Sequence, residues 1–261
     1  ASAYDGTKVR LYVDGVLKIT KTIALDTASS PLALGRSAGG GSWFAGDLDE
    51  IAVYHRALSG PEVEGLASPE PYGVWTLEEG SGSAAVDSSG GGRDGVLYGG
   101  PTWTDGGLTF DGIDDYVVIP WGQLSVNASR SIALTFRAAS AADAVLAGWG
   151  TNSGSALSQL GFKSGSFGFL GNGNTLTIPA AQVADVQWHR AGVAFDKSVM
   201  RLFVDGELAA QKTTTLNTGI SDLNLGRAPY GASYYKGELG DVRIYDYSVT
   251  ERGAEALFAQ Q

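Results

Sequence analysis

Apolar residues along this chain recur at every second position in short runs, and glycine or aspartate closes most runs. Ile132, Leu134 and Phe136 alternate with Ser131, Ala133 and Thr135. Between residues 187 and 195, His189, Ala191, Val193 and Phe195 interleave with Trp188, Arg190, Gly192 and Ala194. A period of two is that of a strand whose side chains point alternately to two faces. The same reading predicts strands near 74–77, 96–98, 108–110, 116–119, 145–148, 223–226 and 238–245, and a hairpin of 160–162 with 167–170 over Ser164-Gly165. Residues 176–178 read as an edge piece ending at Pro179. Helical signal is confined to two places. Ser59-x-x-Glu62 has the form of a capping box, with Pro61 tolerated in the first turn and an end near Ala67. A second short helix is predicted after Thr250. Many short strands with Gly/Asp turns and almost no helix predict an all-β sandwich or barrel.

One hairpin occurs twice. Arg201-Leu202-Phe203-Val204-Asp205-Gly206-Glu207-Leu208 is matched by Arg10-Leu11-Tyr12-Val13-Asp14-Gly15-Val16-Leu17, an offset of 191 residues. Asp-Gly suits the positive-φ positions of a tight two-residue turn. The offset holds without a gap: Leu34-Gly35-Arg36 falls on Leu225-Gly226-Arg227, Trp43-Phe44 on Tyr234-Tyr235, and residues 46–54 on 237–245. A unit this long is a domain, not a solenoid repeat. The repeat predicts one whole domain, 72–261, preceded by a stiff Pro-containing linker, 68–71, and by the C-terminal part of a sister domain, 1–67, in a chain taken from a longer protein. In the partial copy, strands are expected at 8–25, 32–35 and 47–54. The last has a bulge where alternation breaks between Leu48 and Ile51. A third of a sandwich exposes apolar faces and open edges. It could be completed by another stretch of chain or by a neighbouring molecule, or 1–67 could replace 188–258 against 70–187. Completion is favoured over the swap.

Composition narrows the classes. A net charge of −10 argues against nucleic acid, whose binding depends on Lys and Arg at phosphates. It suits an extracellular protein or one that holds cations. Zero cysteines exclude disulfides, thiolate metal sites and cysteine nucleophiles. No apolar run approaches the roughly 20 residues of a membrane-spanning helix, so membrane insertion is not expected. The Gly/Ala/Asp bias suits a bacterial exported protein, secreted or at the cell surface.

Five motifs occur in a telling order: Trp75-Thr76-Leu77-Glu78-Glu79-Gly80-Ser81-Gly82; Leu108-Thr109-Phe110-Asp111-Gly112-Ile113-Asp114-Asp115-Tyr116-Val117; Trp188-His189-Arg190-Ala191-Gly192-Val193; the Val-Asp-Gly hairpin; and Gly237-Glu238-Leu239-Gly240-Asp241-Val242-Arg243-Ile244-Tyr245. Together they resemble the laminin-G-like, concanavalin-A-like jelly-roll domains. The resemblance covers essentially all of 70–258, and residues 1–67 match only the closing third of such a domain. It implies a two-sheet antiparallel jelly-roll sandwich, with the strand at Trp75 beside the last strand before the terminal helix. It also implies a structural calcium near the Phe-Asp-Gly turn and the closing strand. By position the ligands would be Asp111, Asp114 and Asp241, with Glu238 a lesser candidate. Calcium takes six to eight hard oxygen ligands, which carboxylates supply.

Sugars present apolar faces to aromatic rings and hydroxyls to polar side chains. Trp149, Asn152, Asn172, Asn174, Tyr230, Tyr234 and Tyr235 are therefore the candidate glycan-binding residues. The competing expectation is that one ring of each aromatic pair packs into the sandwich while the other caps a loop.

Catalytic readings are weaker. A retaining glycosidase needs two carboxylates about 5–5.5 Å apart. Asp47 and Asp49 have suitable strand spacing, but the counterpart of Asp49 is Gly240. Glu238 and Asp241 would face opposite sides of a regular strand. His55 and His189 are the only histidines, and no Gly-x-Ser-x-Gly elbow accompanies them. Gly90-x-Gly92-x-x-Gly95 has the dinucleotide pattern, but no predicted helix follows it. The expected role is non-catalytic recognition of a glycan or polysaccharide, as a module of a larger secreted or cell-surface protein. The alternative is a structural or adhesive module that binds other protein domains or another copy of the chain. A glycoside hydrolase is a third, weaker alternative.

Overall fold

The computed structural model describes residues 1–13, 16–26, 31–37, 41–46, 48, 51–60, 62–63, 71–122, 124, 126–153 and 156–249. The chain divides into two units, Ala1–Pro69 and Glu70–Gln261. The turn Asp14-Gly15, Asp47, Asp49, most of the linker and the terminal helix lie outside the described residues.

In unit 1, β1 (Ser2–Tyr4), β2 (Lys8–Val13) and β3 (Val16–Thr22) form an antiparallel sheet in sequence order. The capping box is formed: the Glu62 carboxylate accepts the Ser59 N–H at 2.8 Å, and Ser59 Oγ accepts the Glu62 N–H at 3.4 Å. Ala3, Tyr12 and Val63 make a small core of their own.

In unit 2, the chain first lays down β4 (Gly73–Trp75), β5 (Ala84–Ala85), β6 (Gly95–Tyr98), β7 (Thr102–Thr104), β8 (Gly107–Asp111) and β9 (Tyr116–Ile119). Next come β10 (Arg130–Arg137), β11 (Ala144–Gly150), β12 (Leu157–Lys163), β13 (Ser166–Phe169) and β14 (Leu176–Pro179). A single 3₁₀ turn, Ala180–Gln182, precedes β15 (Trp188–Phe195), β16 (Val199–Val204) and β17 (Glu207–Thr213). The last strands are β18 (Leu223–Leu225) and β19 (Lys236–Tyr245).

Two antiparallel sheets result. The first has the order β17-β16-β15-β10-β19-β8-β7, with β4 also pairing β19; the second has the order β14-β13-β12-β11-β18-β9-β6-β5. Trp75 lies opposite Val242, as the resemblance implied. The inward residues of both sheets, among them Trp75, Phe110, Phe136, Phe162, Leu202 and Ile244, form one core. The fold is the all-β jelly-roll sandwich expected.

Asp205 and Gly206 have φ of +50° and +86°, the signature of the two-residue hairpin turn that the sequence predicts. Ser164 and Gly165 repeat it between β12 and β13, at +49° and +74°. After Gly90 and Gly92 the chain enters β6, so the glycine triplet is a turn. Residues 108–119 behave differently from a hairpin. β8 belongs to the first sheet and β9 to the second, so the Asp111–Asp115 turn carries the chain across the sandwich.

The repeat shows what strands need. Leu34, Leu48, Ile51, Val53 and Tyr54 correspond to Leu225, Leu239, Val242, Ile244 and Tyr245. The second set is at most 2% exposed; the first is 46–75% exposed. Residues 31–35 and 51–54 are not strands in unit 1, contrary to expectation. Their counterparts are β18, held between β11 and β9, and β19, held by β10, β8 and β4. Among the described residues of unit 1 no strand pairs with these segments, and a strand without a ladder leaves its backbone groups to water. The bulge predicted at Leu48/Ile51 is present at the corresponding place in unit 2, between Leu239 and Val242.

Candidate functional site

The outer face of the second sheet carries a groove of about 470 Å³. Gln159, which lines it, ends a row of residues in register across five strands: Val96, Val118, Asn224, Gly148 and Gln159. A Cβ on Gly148 would lie 2.9 Å from the Gln159 side chain, so glycine there leaves the glutamine its space. Asn152 and Asn172 form one wall, joined by an amide hydrogen bond of 3.2 Å. Tyr230, 45% exposed, and Ser233 come from the loop after β18. That loop folds back on itself: Ala228 N–H donates to the Ser233 carbonyl, and Arg227 pairs with Tyr234. At one end of the groove Lys163 Nζ pairs with the Asp143 carboxylate at 2.6 Å. The groove thus presents amides, hydroxyls and one exposed phenol ring beside apolar side chains such as Val145 and Leu170, a mixed lining that can meet both the hydroxyls and the apolar faces of a ligand.

Of the seven residues expected to meet a ligand, the structure brings Asn152, Asn172 and Tyr230 together. The Asn174 amide is spent elsewhere, donating to the Thr215 carbonyl and accepting from Thr214 Oγ1. Trp149 is 1% exposed and packs against Trp121 and the Arg130 guanidinium, so it belongs to the core and not, as expected from the sequence, to a glycan-binding surface. Tyr235 is also in the core. Its hydroxyl donates to the Arg137 carbonyl at 2.8 Å, and burial holds its pKa far above the ordinary phenol value. Tyr234 is half-buried against Tyr116. The pair therefore divides as the competing expectation had it, one ring inward and one on a loop. Gln159 and Ser233 escaped the sequence reading; nothing in their immediate neighbours marks them.

The carboxylates fall into two groups. Asp111, Asp114 and Asp115 bring one carboxylate oxygen each within 4.8 Å of the others. Asp115 is 5% exposed and accepts the Asp111 N–H at 2.9 Å. Burial, with the charges of Asp111 and Asp114 adding to it, raises its pKa. Asp241 is not with them. It lies on the outer face of the first sheet between Arg190 and Arg243, 2.8 Å from each. The bulge in β19 puts Glu238 on that same face, contrary to the regular-strand expectation, and Arg137 pairs with it. Both carboxylates are held in ion pairs with arginines.

His189 is buried and lies between Asp205 (Nδ1 to Oδ2, 2.8 Å) and Asp185 (Nε2 to Oδ1, 3.0 Å). Burial alone would lower its pKa. The two carboxylate contacts outweigh that, and the net shift is upward. With a carboxylate on each ring nitrogen, the ring donates twice when protonated and bridges the β16–β17 turn and the segment before β15.

Two antiparallel sheets packed face to face in this strand order define a jelly-roll sandwich. The sequence model of the Concanavalin A-like lectin/glucanases superfamily, laminin G type, matches residues 1–64 and 110–252, and the chain belongs to that family. Comparison with curated protein sequences finds no match.

Solved structures share the fold. Domain 4 of AbnA, a GH43 extracellular arabinanase from Geobacillus stearothermophilus in complex with arabinotriose, is 19% identical, with a TM-score of 0.57 over 73% of this chain and 98% of that one. The botulinum neurotoxin serotype D ligand binding domain in complex with N-acetylneuraminic acid is 10% identical, with a TM-score of 0.59 over 72% of this chain and 50% of that one. Trypanosoma rangeli sialidase is 18% identical, with a TM-score of 0.56 over 72% of this chain and 32% of that one. The fold is thus common to glycoside hydrolases and binding domains.

Proposed function

We propose that unit 2 is a non-catalytic glycan-binding module of a secreted or cell-surface protein, and that the outer-face groove holds the sugar. The observation that carries this is the convergence of Asn152, Gln159, Asn172, Tyr230 and Ser233 on one groove of about 470 Å³, within the range of small-ligand sites. Two neighbours of the same fold were solved with a sugar bound, arabinotriose in one and N-acetylneuraminic acid in the other. Among the described residues lining the groove, Asp143 is the one carboxylate, and it is paired with Lys163. Hydrolysis by a pair of carboxylates would need a second. Among the described residues, no helix is long and apolar enough to cross a membrane.

Calcium is part of the proposal. Asp111 and Asp114, with Asp115 in the place assigned from sequence to Asp241, are the carboxylates that would hold it. A cation would offset the burial and the neighbouring charges of Asp111 and Asp114 that together raise the Asp115 pKa. It would fix the turn that leads into Tyr116. The test is a glycan-array screen of the whole chain in calcium buffer, repeated after chelation. Selective binding is expected, weakened by chelation. Binding to no glycan by the folded chain would sink the reading, and binding that survives chelation would remove calcium from it.

The apolar face of unit 1 favours a second reading for that unit. The occupant we assign to it is a polypeptide supplying counterparts of β4, β8 and β10. Those are the strands that pair with β19, the counterpart of residues 45–54, in unit 2.

A further inference from the structure

Seven arginines of unit 2 lie among the described residues. Arg93, Arg137, Arg190, Arg201 and Arg243 are each paired with a carboxylate. Arg130 is buried and donates to three backbone carbonyls. Arg227 differs. Its Nε donates to Asn224 Oδ1 at 2.9 Å, and its guanidinium lies 3.7 Å from the centre of the Tyr116 ring. Its two terminal nitrogens have neither a carboxylate nor a carbonyl partner among the described residues, and the residue is half-exposed. In a chain of net charge −10 that is a conspicuous omission, since anions are plentiful.

The surroundings hold the group in place. Tyr116, in β9, stacks on Tyr98 of β6 at 4.9 Å and 10°. Tyr234, paired with Arg227 across the loop, leans on Tyr116 at 6.3 Å. Stacking and the Asn224 contact remove rotamer freedom before any ligand arrives. A planar fork fixed in this way matches a carboxylate with two parallel hydrogen bonds, which an ammonium cannot do. The position also adjoins the groove. Asn224 stands in the cross-strand row that ends at Gln159, and the loop carrying Arg227 also supplies Tyr230 and Ser233.

We propose that Arg227 is an anion-binding position on this face, and that the glycan recognised carries a carboxylate, as uronic and sialic acids do. The proposal rests on the glycan reading and narrows its ligand class. The exposed carboxylates of Asp111 and Asp114 precede Tyr116 in the chain and oppose an anion at long range. At about 0.15 M salt that repulsion is screened over roughly 8 Å, whereas the fork acts at hydrogen-bond distance.

The test measures binding of the whole chain to an oligogalacturonate, to the same oligosaccharide with its carboxyl groups reduced, and to a sialylated oligosaccharide with its asialo form. Arg227→Lys and Arg227→Ala are run beside the natural chain, with circular dichroism confirming their fold. At least one acidic form is expected to bind about tenfold or more above its neutral partner, the worth of a charge-assisted hydrogen bond. That ratio is expected to collapse in both variants, including the lysine that keeps the charge. Whichever acidic pair shows the effect identifies the sugar. Neutral forms binding as well as acidic ones to the natural chain would overturn the proposal and leave the glycan reading standing. So would an acid preference that survives in both variants. Binding of none of the four, with none on the array, would overturn both.

Discussion

Asp205 occupies a left-handed turn position and uses its carboxylate to tie that turn to the next strand. One oxygen accepts the Arg190 N–H at 2.9 Å and the other meets His189 Nδ1. This links the Trp-His-Arg and Val-Asp-Gly motifs, which lie apart in sequence and side by side in β15 and β16. A pH dependence follows from His189. Its folded pKa is raised above the ordinary 6.5, so the stabilisation is complete below 6.5 and is lost as pH rises through the folded value. Urea midpoints should therefore fall as pH is raised above 6.5, and His189→Gln should flatten that part of the profile. At the neighbouring position, Gly206→Ala must hold φ near +86° with a Cβ; a loss of about 1 kcal/mol is expected in the same denaturation assay.

At the scale of elements, pairing decides. Residues 51–54 and 242–245 have similar apolar patterns, yet only the latter form a strand. Hydrogen exchange should therefore be fast at the amides of Ile51, Val53 and Tyr54 and strongly protected at Val242, Ile244 and Tyr245; equal protection would contradict this account. In unit 2 the longer strands were legible as short apolar runs closed by Gly or Asp, and the bulge at Leu239/Val242 as a break in alternation; the short β5 and β7 were not. Sheet membership was not. Residues 108–110 and 116–119 flank a turn, but they do not pair with each other: β8 lies between β7 and the distant β19, and β9 between β6 and the distant β18. The site was half legible for a related reason. Every residue of β11 is buried, so no pattern there shows that Trp149 points inward. Gln159 is an unremarkable polar residue until the β11–β12 register places it beside Gly148 on the outer face.

For the whole molecule, the repeat supplies a direct test of unit 1. A chain with a second copy of residues 72–191 fused ahead of Ala1 would place the missing neighbours beside the exposed face. Such a chain should bind less of an apolar dye such as ANS than the natural one, despite its greater length. It should also gain exchange protection at Ile51 and Val53. Undiminished dye binding with unprotected amides would mean that the face is not a sandwich face.

The two units also divide the functional account. The groove and Arg227 belong to unit 2 alone, so sugar binding should not depend on what covers unit 1. The most direct test of the central claim is a side-by-side glycan array of the natural chain and a folded Tyr230→Ala/Asn172→Ala double variant. The account predicts selective binding by the natural chain and a loss of at least about tenfold in the variant, from the removal of a ring contact and an amide. Selective binding that the double variant retains in full would put the sugar elsewhere on the molecule and contradict the assignment of this groove.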